Sequence, residues 1–137
     1  MMDPLLDLPG YSLRRAAAAM MAEFGARIEP LGLRIADVSA LLVIGANAGL
    51  TASQLGRQLE IQRANMVPLV SRLEDAGLIE RRPLDGKSHS LELTAAGEAR
   101  LAEARGVIAT FESWLVAKVP VEHRDHLKPA LDALWRT

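Results

Sequence analysis

The apolar positions of this chain recur at intervals of three and four residues over most of its length, which predicts a mainly helical protein. The first helix is predicted from Tyr11 to about Glu29, where four consecutive alanines favour helix. Pro30 and Gly32 break the pattern, and a second helix is predicted from about Ile35 to Ala48. The opening segment, up to Pro9-Gly10, combines turn-forming residues with three leucines and is expected to hang free or to dock as an arm.

Two short helices are predicted next, with only a tight turn between them. Thr51-Ala52-Ser53-Gln54 forms a capping box, in which the Thr51 hydroxyl accepts the Gln54 amide hydrogen and the Gln54 side chain returns to the Thr51 backbone. This box starts a third helix over about Ala52 to Leu59. A fourth helix follows Glu60-Ile61-Gln62 and ends near Gly77. Its apolar residues have the i, i+3, i+4, i+7 spacing of an amphipathic helix: Met66, Leu69, Val70 and Leu73.

A two-stranded hairpin is predicted directly after the fourth helix. Two short extended runs, Leu78 to Arg82 and Ser88 to Leu93, flank an Asp85-Gly86 pair. Asp-Gly favours a tight turn because glycine accepts positive φ freely and aspartate tolerates it.

The C-terminal third is predicted to be helical again. Thr94 can cap a fifth helix from Ala95 to about Lys118, whose apolar residues follow heptad spacing. Pro120 ends this helix, and a last helix is predicted from about Glu122 to Trp135.

Composition and charge restrict the class of protein. The 137 residues, of which 50% are hydrophobic, suffice for one domain with a core, so a single unit over residues 1–137 is expected. The absence of cysteine excludes disulfides, thiolate metal sites and thiol redox sensing. No apolar stretch approaches the ~20 residues of a bilayer span and no secretion signal opens the chain, so no membrane association and a cytoplasmic location are expected. The net charge of −1 argues against coating nucleic acid by bulk electrostatics.

The order of elements nevertheless points to DNA, because two short helices and a following hairpin make a winged helix-turn-helix. One helix crosses the backbone, the next enters the major groove and the hairpin reaches the minor groove. Arg63 and Asn65 lie near the start of the fourth helix, where arginine can pair with guanine and asparagine with adenine. Arg72 is expected to meet phosphate. Thr51 and Ser53 at the start of the third helix can also hold a phosphate, although the capping role of Thr51 alone explains that residue.

Three motifs in the second half of the chain resemble the wing and the wing-to-helix junction of the MarR family. They are Gly77-Leu78-Ile79-Glu80-Arg81-Arg82-Pro83, Asp85-Gly86-Lys87-Ser88-His89-Ser90-Leu91 and Leu93-Thr94-Ala95-Ala96-Gly97, and Tyr11-Ser12-Leu13-Arg14-Arg15 resembles the family's first helix. The resemblance implies a mainly α fold with a small β-hairpin wing, in which residues 35–94 form the winged helix-turn-helix lobe and residues 11–34 and 95–137 form dimerisation helices. It also implies a homodimeric transcriptional regulator that binds double-stranded DNA at a pseudo-palindromic operator, with recognition helices ~34 Å apart.

Two features depart from the family pattern. Wings of the family commonly carry Asp-Arg-Arg at the tip, whereas this chain has Asp85-Gly86-Lys87, so a weaker minor-groove contact is expected. The candidate DNA contacts of the wing are Arg82, Asp85 and Lys87. Pro68 lies within the fourth helix, on the side away from the apolar stripe, and joins the candidate DNA-binding residues. Proline removes a backbone hydrogen bond there, which predicts a kink or a late helix start.

The resemblance further implies a repressor released from DNA by a small molecule, often an aromatic acid. By this analogy Tyr11, Arg14, Arg15 and Met20 are candidate ligand-binding residues, since arginine can hold a carboxylate and methionine can line an apolar wall. Solvated arginines and a core methionine explain the same residues. Three alternatives stay open: a ligand-blind regulator, a monomeric helical bundle, and a winged-helix module that binds another protein and never DNA.

Metal binding and catalysis are not indicated. His123 and His126 stand three apart beside Glu122 and Asp125, at a predicted helix start where a solvated charged face is the better interpretation. His89 in the second wing strand suits packing or a phosphate contact. The sequence contains no readable Ser–His–Asp grouping, phosphate-binding glycine loop or carboxylate pair, so no enzyme, cofactor or metal site is expected.

Overall fold

The structure is a computed structural model that describes all residues from Met1 to Thr137. The order of elements predicted from the sequence is confirmed. No helix combines the length and apolar character that crossing a bilayer requires. The elements are α1 (Pro9–Ile28), α2 (Ile35–Ala46), α3 (Ala52–Leu59), α4 (Arg63–Asp75), β1 (Ile79–Pro83), β2 (His89–Leu93), α5 (Ala95–Ala117) and α6 (Arg124–Trp135), with 3-10 turns at Glu29–Leu31 and Val121–His123.

The core lies in the lobe formed by α2, α3, α4, the hairpin and the start of α5. Sixteen buried hydrophobic residues form one cluster, to which α1 contributes Ile28 and α5 contributes Leu101 and Ala104. Further along α5, Phe111 is also buried, and its ring centroid lies 5.0 Å from that of Phe24 on α1. The lobe therefore has its own core, while α1 and the later turns of α5 pack on each other beside it.

The junction between α4, the hairpin and α5 is held by short-range hydrogen bonds. Gly77, with φ of 74°, ends α4, and the Leu78 amide donates to the Leu73 carbonyl, a helix ending that favours glycine. The Thr94 hydroxyl donates to the Gly77 carbonyl at 2.6 Å and accepts the Gly97 amide hydrogen at 3.0 Å. One side chain thus joins the end of α4 to the beginning of α5.

The hairpin pairs β1 with β2 in antiparallel register, with Ile79 opposite Leu93 and Pro83 opposite His89. Positive φ occurs only at Gly86 in its turn, so the aspartate of the predicted Asp-Gly pair keeps an ordinary conformation. The Leu91 amide also donates to the Leu50 carbonyl, at 2.7 Å, next to an isolated bridge between Thr51 and Ser90. These two contacts hold the middle of β2 and its turn-side end against the start of α3.

A large part of the surface is left uncovered by the single chain. Its accessible surface is 9710 Å², whereas a compact monomer of 14.8 kDa exposes about 7,000 Å². No residue of α6 is buried, and Leu134 and Trp135 are each 68% exposed. Helix α6 therefore does not pack into the core of its own chain.

Candidate nucleic-acid interface

The capping box at the start of α3 forms as predicted. The Thr51 hydroxyl accepts the Gln54 amide hydrogen at 3.2 Å, and the Thr51 amide donates to the Gln54 side chain at 2.9 Å. Ser53, in the first turn, is exposed. The unpaired amides of this turn and the Ser53 hydroxyl can therefore donate to a phosphate, while the Thr51 hydroxyl is engaged as a cap.

Helix α4 begins at Arg63 and runs through Pro68 to Asp75, so the predicted late helix start is wrong. Because proline has no backbone N–H, Pro68 cannot donate the helical hydrogen bond to the carbonyl of Ala64. Ala64 is exposed, so a water molecule can donate to this carbonyl instead. Arg63, Asn65 and Pro68 are all exposed, on the side of α4 opposite or flanking its buried stripe. The structure thus brings these three candidates to one surface.

An open cleft of about 520 Å³ lies between α3, α4 and β1. Its apolar wall includes Val67, and Arg57 of α3 and Arg63 of α4 also line it. The sequence prediction did not include Arg57 or Val67. A signal for Arg57 was present, since the tight turn between α3 and α4 brings the last turn of one helix beside the first turn of the other.

Arg72 departs from its predicted role as a phosphate contact. Its guanidinium lies 2.5 Å from a carboxylate oxygen of Asp37 at the start of α2, and the Asp37 side chain is only 4% exposed. The other carboxylate oxygen accepts the Arg34 amide hydrogen at 2.7 Å. The Nε of Arg72 is buried without a partner. Arg72 therefore holds α4 to α2, and its charge is neutralised inside the lobe.

We expect Asp37→Ala to lower the free energy of unfolding by about 2 kcal/mol, because it leaves the half-buried Arg72 unpaired and removes the cap of α2. Asp75→Ala is the matched control, since Asp75 is exposed at the end of α4 and forms no ion pair. Its effect should stay below about 0.5 kcal/mol. Urea unfolding at one fixed protein concentration measures both, and equal effects would contradict the role given to the Asp37–Arg72 pair.

On the hairpin, Arg82 is engaged and Lys87 is free. The Arg82 guanidinium lies 3.1 Å from Glu80 and 2.8 Å from Glu92. The pKa of Arg82 is raised above its ordinary value, first by the hydrogen bond to Glu80 and then by the charge of Glu92. Lys87 is exposed at the tip without an ion pair, and the Asp85 carbonyl accepts the Ser88 amide hydrogen of the turn. Lys87 is thus the hairpin's available cation.

The ion pairs sort the basic residues of the lobe into two groups. Six lie between positions 51 and 91, and three of them are paired with acidic residues. The paired residues are Arg72, Arg81 and Arg82, and the free ones are Arg57, Arg63 and Lys87. All three free cations lie on α3, α4 or the wing tip, the elements that meet DNA in a winged helix-turn-helix.

The four ligand-binding candidates on α1 do not form one site. The Arg15 guanidinium donates to the Tyr11 hydroxyl at 2.8 Å, and the Arg14 guanidinium lies 5.5 Å from the Tyr11 ring centroid. Met20 follows nine residues later, which at ~100° per residue puts it on the opposite side of the helix. The structure thus supports a cluster of Tyr11, Arg14 and Arg15 and separates Met20 from it.

Comparisons with known proteins agree with this geometry. A profile described as the MarR family matches residues 31–88. The transcriptional repressor CouR, solved bound to a 23-mer DNA duplex, is 35% identical, with a TM-score of 0.91 over 99% of this chain and 98% of that one. CouR was also solved bound to p-coumaroyl-CoA. The HTH-type transcriptional repressor Rv2887 of Mycobacterium tuberculosis is 29% identical over 131 residues, which are 93% of this chain and 94% of that protein.

Structures of Rv2887 extend the same comparison. In its complex with DNA the match has a TM-score of 0.78 at 28% identity and covers 93% of this chain and 97% of that one. Rv2887 was also solved with p-aminosalicylic acid. The near-complete coverage and the shared arrangement of the lobe and terminal helices confirm the resemblance read from the wing motifs: this chain belongs to the MarR family, whose members are transcriptional regulators and not enzymes.

Proposed function

We propose that this chain is a homodimeric transcriptional repressor that binds a pseudo-palindromic operator and leaves it when a small aromatic acid or its thioester binds. The observation that carries the proposal is the group of three free cations, Arg57, Arg63 and Lys87, on the DNA-facing elements of the lobe. Every other basic residue of that segment is already neutralised by an acidic neighbour. A regulator of this kind acts on chromosomal DNA in the cytoplasm.

Each element has a definite part in the proposed complex. Arg63 and Asn65 at the start of α4 read base edges in the major groove, while Arg57, Ser53 and Lys87 contact phosphates. Arg82 can exchange Glu80 or Glu92 for a phosphate because its side chain is 61% exposed. Asp85 contributes the turn that presents Lys87 and makes no phosphate contact, since like charges repel.

The exposed apolar surface supports the homodimer. The surface left by one chain exceeds that of a compact monomer by about 2,700 Å², and two such surfaces together reach the upper part of the range that obligate dimers bury. Leu131 and Leu134 on α6 and Leu5 and Leu8 in the N-terminal arm are exposed, and they provide apolar groups for such an interface. Two copies then present two α4 helices to a symmetric operator.

The proposed response to a small-molecule effector is supported by the CouR and Rv2887 complexes with p-coumaroyl-CoA and p-aminosalicylic acid. Both ligands combine an aromatic ring with anionic groups. Tyr11, Arg14 and Arg15 offer a ring and two guanidinium groups without acidic partners, which suits an anionic ligand.

A fluorescence-anisotropy titration against the promoter region of the chain's own gene tests the proposal. With four to six phosphates neutralised per dimer, log affinity should fall against log salt with a slope between about −3.5 and −5.5. Lys87→Ala should reduce the magnitude of this slope by about 1.8, since each dimer loses two phosphate contacts. Arg63→Ala should weaken binding about 10- to 100-fold and relax sequence preference.

Arg105→Ala is the matched control, because Arg105 is exposed on α5 without an ion pair and lies outside the lobe. It should leave affinity and slope unchanged. Titrating the protein–DNA complex with salicylate and with p-coumaroyl-CoA then tests release. If neither compound lowers the anisotropy, the proposed response to an effector is wrong. If the wild type binds no duplex even at low salt, the protein-interaction module becomes the better function.

A further inference from the structure

The outward side of α4 is apolar in its middle turn. The buried stripe of this helix consists of Met66, Leu69, Val70 and Leu73. On the other side Ala64 and Pro68 are exposed, and Val67 is 63% exposed. We call these three residues, Ala64, Val67 and Pro68, the apolar patch. A recognition helix usually fills such positions with hydrogen-bonding side chains, so the patch restricts what this helix can read.

The patch lies between the polar candidates of the same helix. At ~100° per residue, Ala64 and Pro68 form one row directly opposite the stripe, and Val67 lies beside that row one turn after Arg63. The free guanidinium of Arg63 and the exposed Asn65 flank the patch in the first turn. The patch is therefore continuous with the surface assigned to DNA, and a duplex that meets Arg63 also meets Val67.

The patch also suits close approach to the floor of a groove. Alanine is small, and valine and proline have few rotatable bonds, so little conformational entropy is lost when they pack against a base edge. None of the three carries a side-chain donor or acceptor. Contact with the polar edge of guanine, cytosine or adenine would leave those base groups without partners, which is unfavourable.

Thymine is the one base that offers an apolar group in the major groove, its C5 methyl. We infer that the apolar patch reads thymine methyl groups, with Val67 as a specificity-determining residue next to Arg63. The inference rests on the proposed function, since it specifies what α4 recognises. The operator half-site accordingly contains a thymine adjacent to the base read by Arg63, and its selection depends on shape and methyl contact instead of hydrogen bonds.

The experiment uses a duplex selected by the full-length protein from a random-sequence library. Each thymine of the selected half-sites is replaced in turn by deoxyuridine, which keeps base pairing and lacks only the C5 methyl. Wild type should lose about four-fold in affinity for each contacted methyl, or about 16-fold when both half-sites are changed. Val67→Ala should weaken binding to the thymine duplex and respond less than about 1.5-fold to deoxyuridine at that same position, because the methyl's partner is already gone.

Val116→Ala is the matched control, since Val116 is 39% exposed on α5 and outside the lobe. It should keep the full wild-type response to deoxyuridine. The inference is overturned if no thymine is methyl-sensitive in wild type, or if Val67→Ala retains the full response at every position. If the library yields no enriched duplex, the proposed function itself fails, and the patch is better explained as a contact for another protein.

Discussion

Gly97→Ala should lower the free energy of unfolding by about 3 kcal/mol or more and the melting temperature by about 10 °C. A Cβ at this position would lie 1.9 Å from the carbonyl oxygen of Leu78 and 2.9 Å from its carbonyl carbon. Both atoms belong to backbone, so no flexible side chain can move aside. The oxygen also accepts the Thr94 amide hydrogen at 3.1 Å, and separating the two segments would break that bond.

Gly106→Ala provides the control within the same helix. A Cβ at Gly106 meets no atom within 4 Å, and alanine favours helix over glycine by about 1 kcal/mol. This variant should match or exceed the stability of the wild type in thermal unfolding followed by circular dichroism. If the Gly97→Ala protein is as stable as the Gly106→Ala protein, the backbone of the wing junction can shift to accommodate a Cβ at position 97, and the predicted loss of stability is wrong.

The double substitution Leu131→Glu with Leu134→Glu is expected to separate the dimer into chains of 14.8 kDa and to weaken operator binding at least 100-fold. Both leucines are exposed on α6, which buries none of its residues in its own chain. Charged side chains there would remove the apolar burial that holds two copies together in the proposed dimer. They leave the lobe folded, and each free lobe binds one half-site only.

Sedimentation equilibrium gives the mass, and far-ultraviolet circular dichroism checks that the helices persist. Ala133→Glu adds one such charge about 130° around α6 from the midpoint of the two leucines, and it should leave both mass and affinity unchanged. If the double variant keeps the mass of a dimer, the interface lies elsewhere on the surface. If it is monomeric and still binds the operator tightly, the proposed requirement for two recognition helices is wrong.

Local signals explain why most boundaries could be predicted. The Thr51 cap and the positive φ of Gly77 depend on a few neighbouring residues, and α3 was predicted with its observed bounds. The start of α1 was predicted at Tyr11 but lies at Pro9, because proline fits a first turn where its missing N–H has no partner. The last helix was predicted as one piece, whereas the structure divides it into a 3-10 turn and α6 at Arg124.

For the candidate DNA-binding residues, the sequence could predict which side chains are exposed, but not which exposed cations are paired with an acidic residue. Arg63, Asn65 and Lys87 lie on the outside of their elements, as the apolar pattern indicated. Arg72 shares that pattern, but its partner Asp37 is 35 positions away, and no local spacing reveals such a pairing. Arg82 is engaged across the hairpin by Glu92, which depends on strand register. The folded structure is therefore needed to tell which basic side chains have no acidic partner and can contact DNA.

The continuity of α5 has a mechanical consequence for the proposed release from DNA. This helix runs for 23 residues, about 34 Å, from the wing junction to Ala117, near the terminal helices assigned to the proposed dimer. Because Thr94 fastens its first turn to the end of α4, a tilt of about 5° pivoting at the far end would carry the wing and recognition helix about 3 Å. That distance equals the length of a hydrogen bond. In the proposed function, an effector bound near the far end of α5 therefore needs only a small tilt of this one helix to displace the elements that contact DNA.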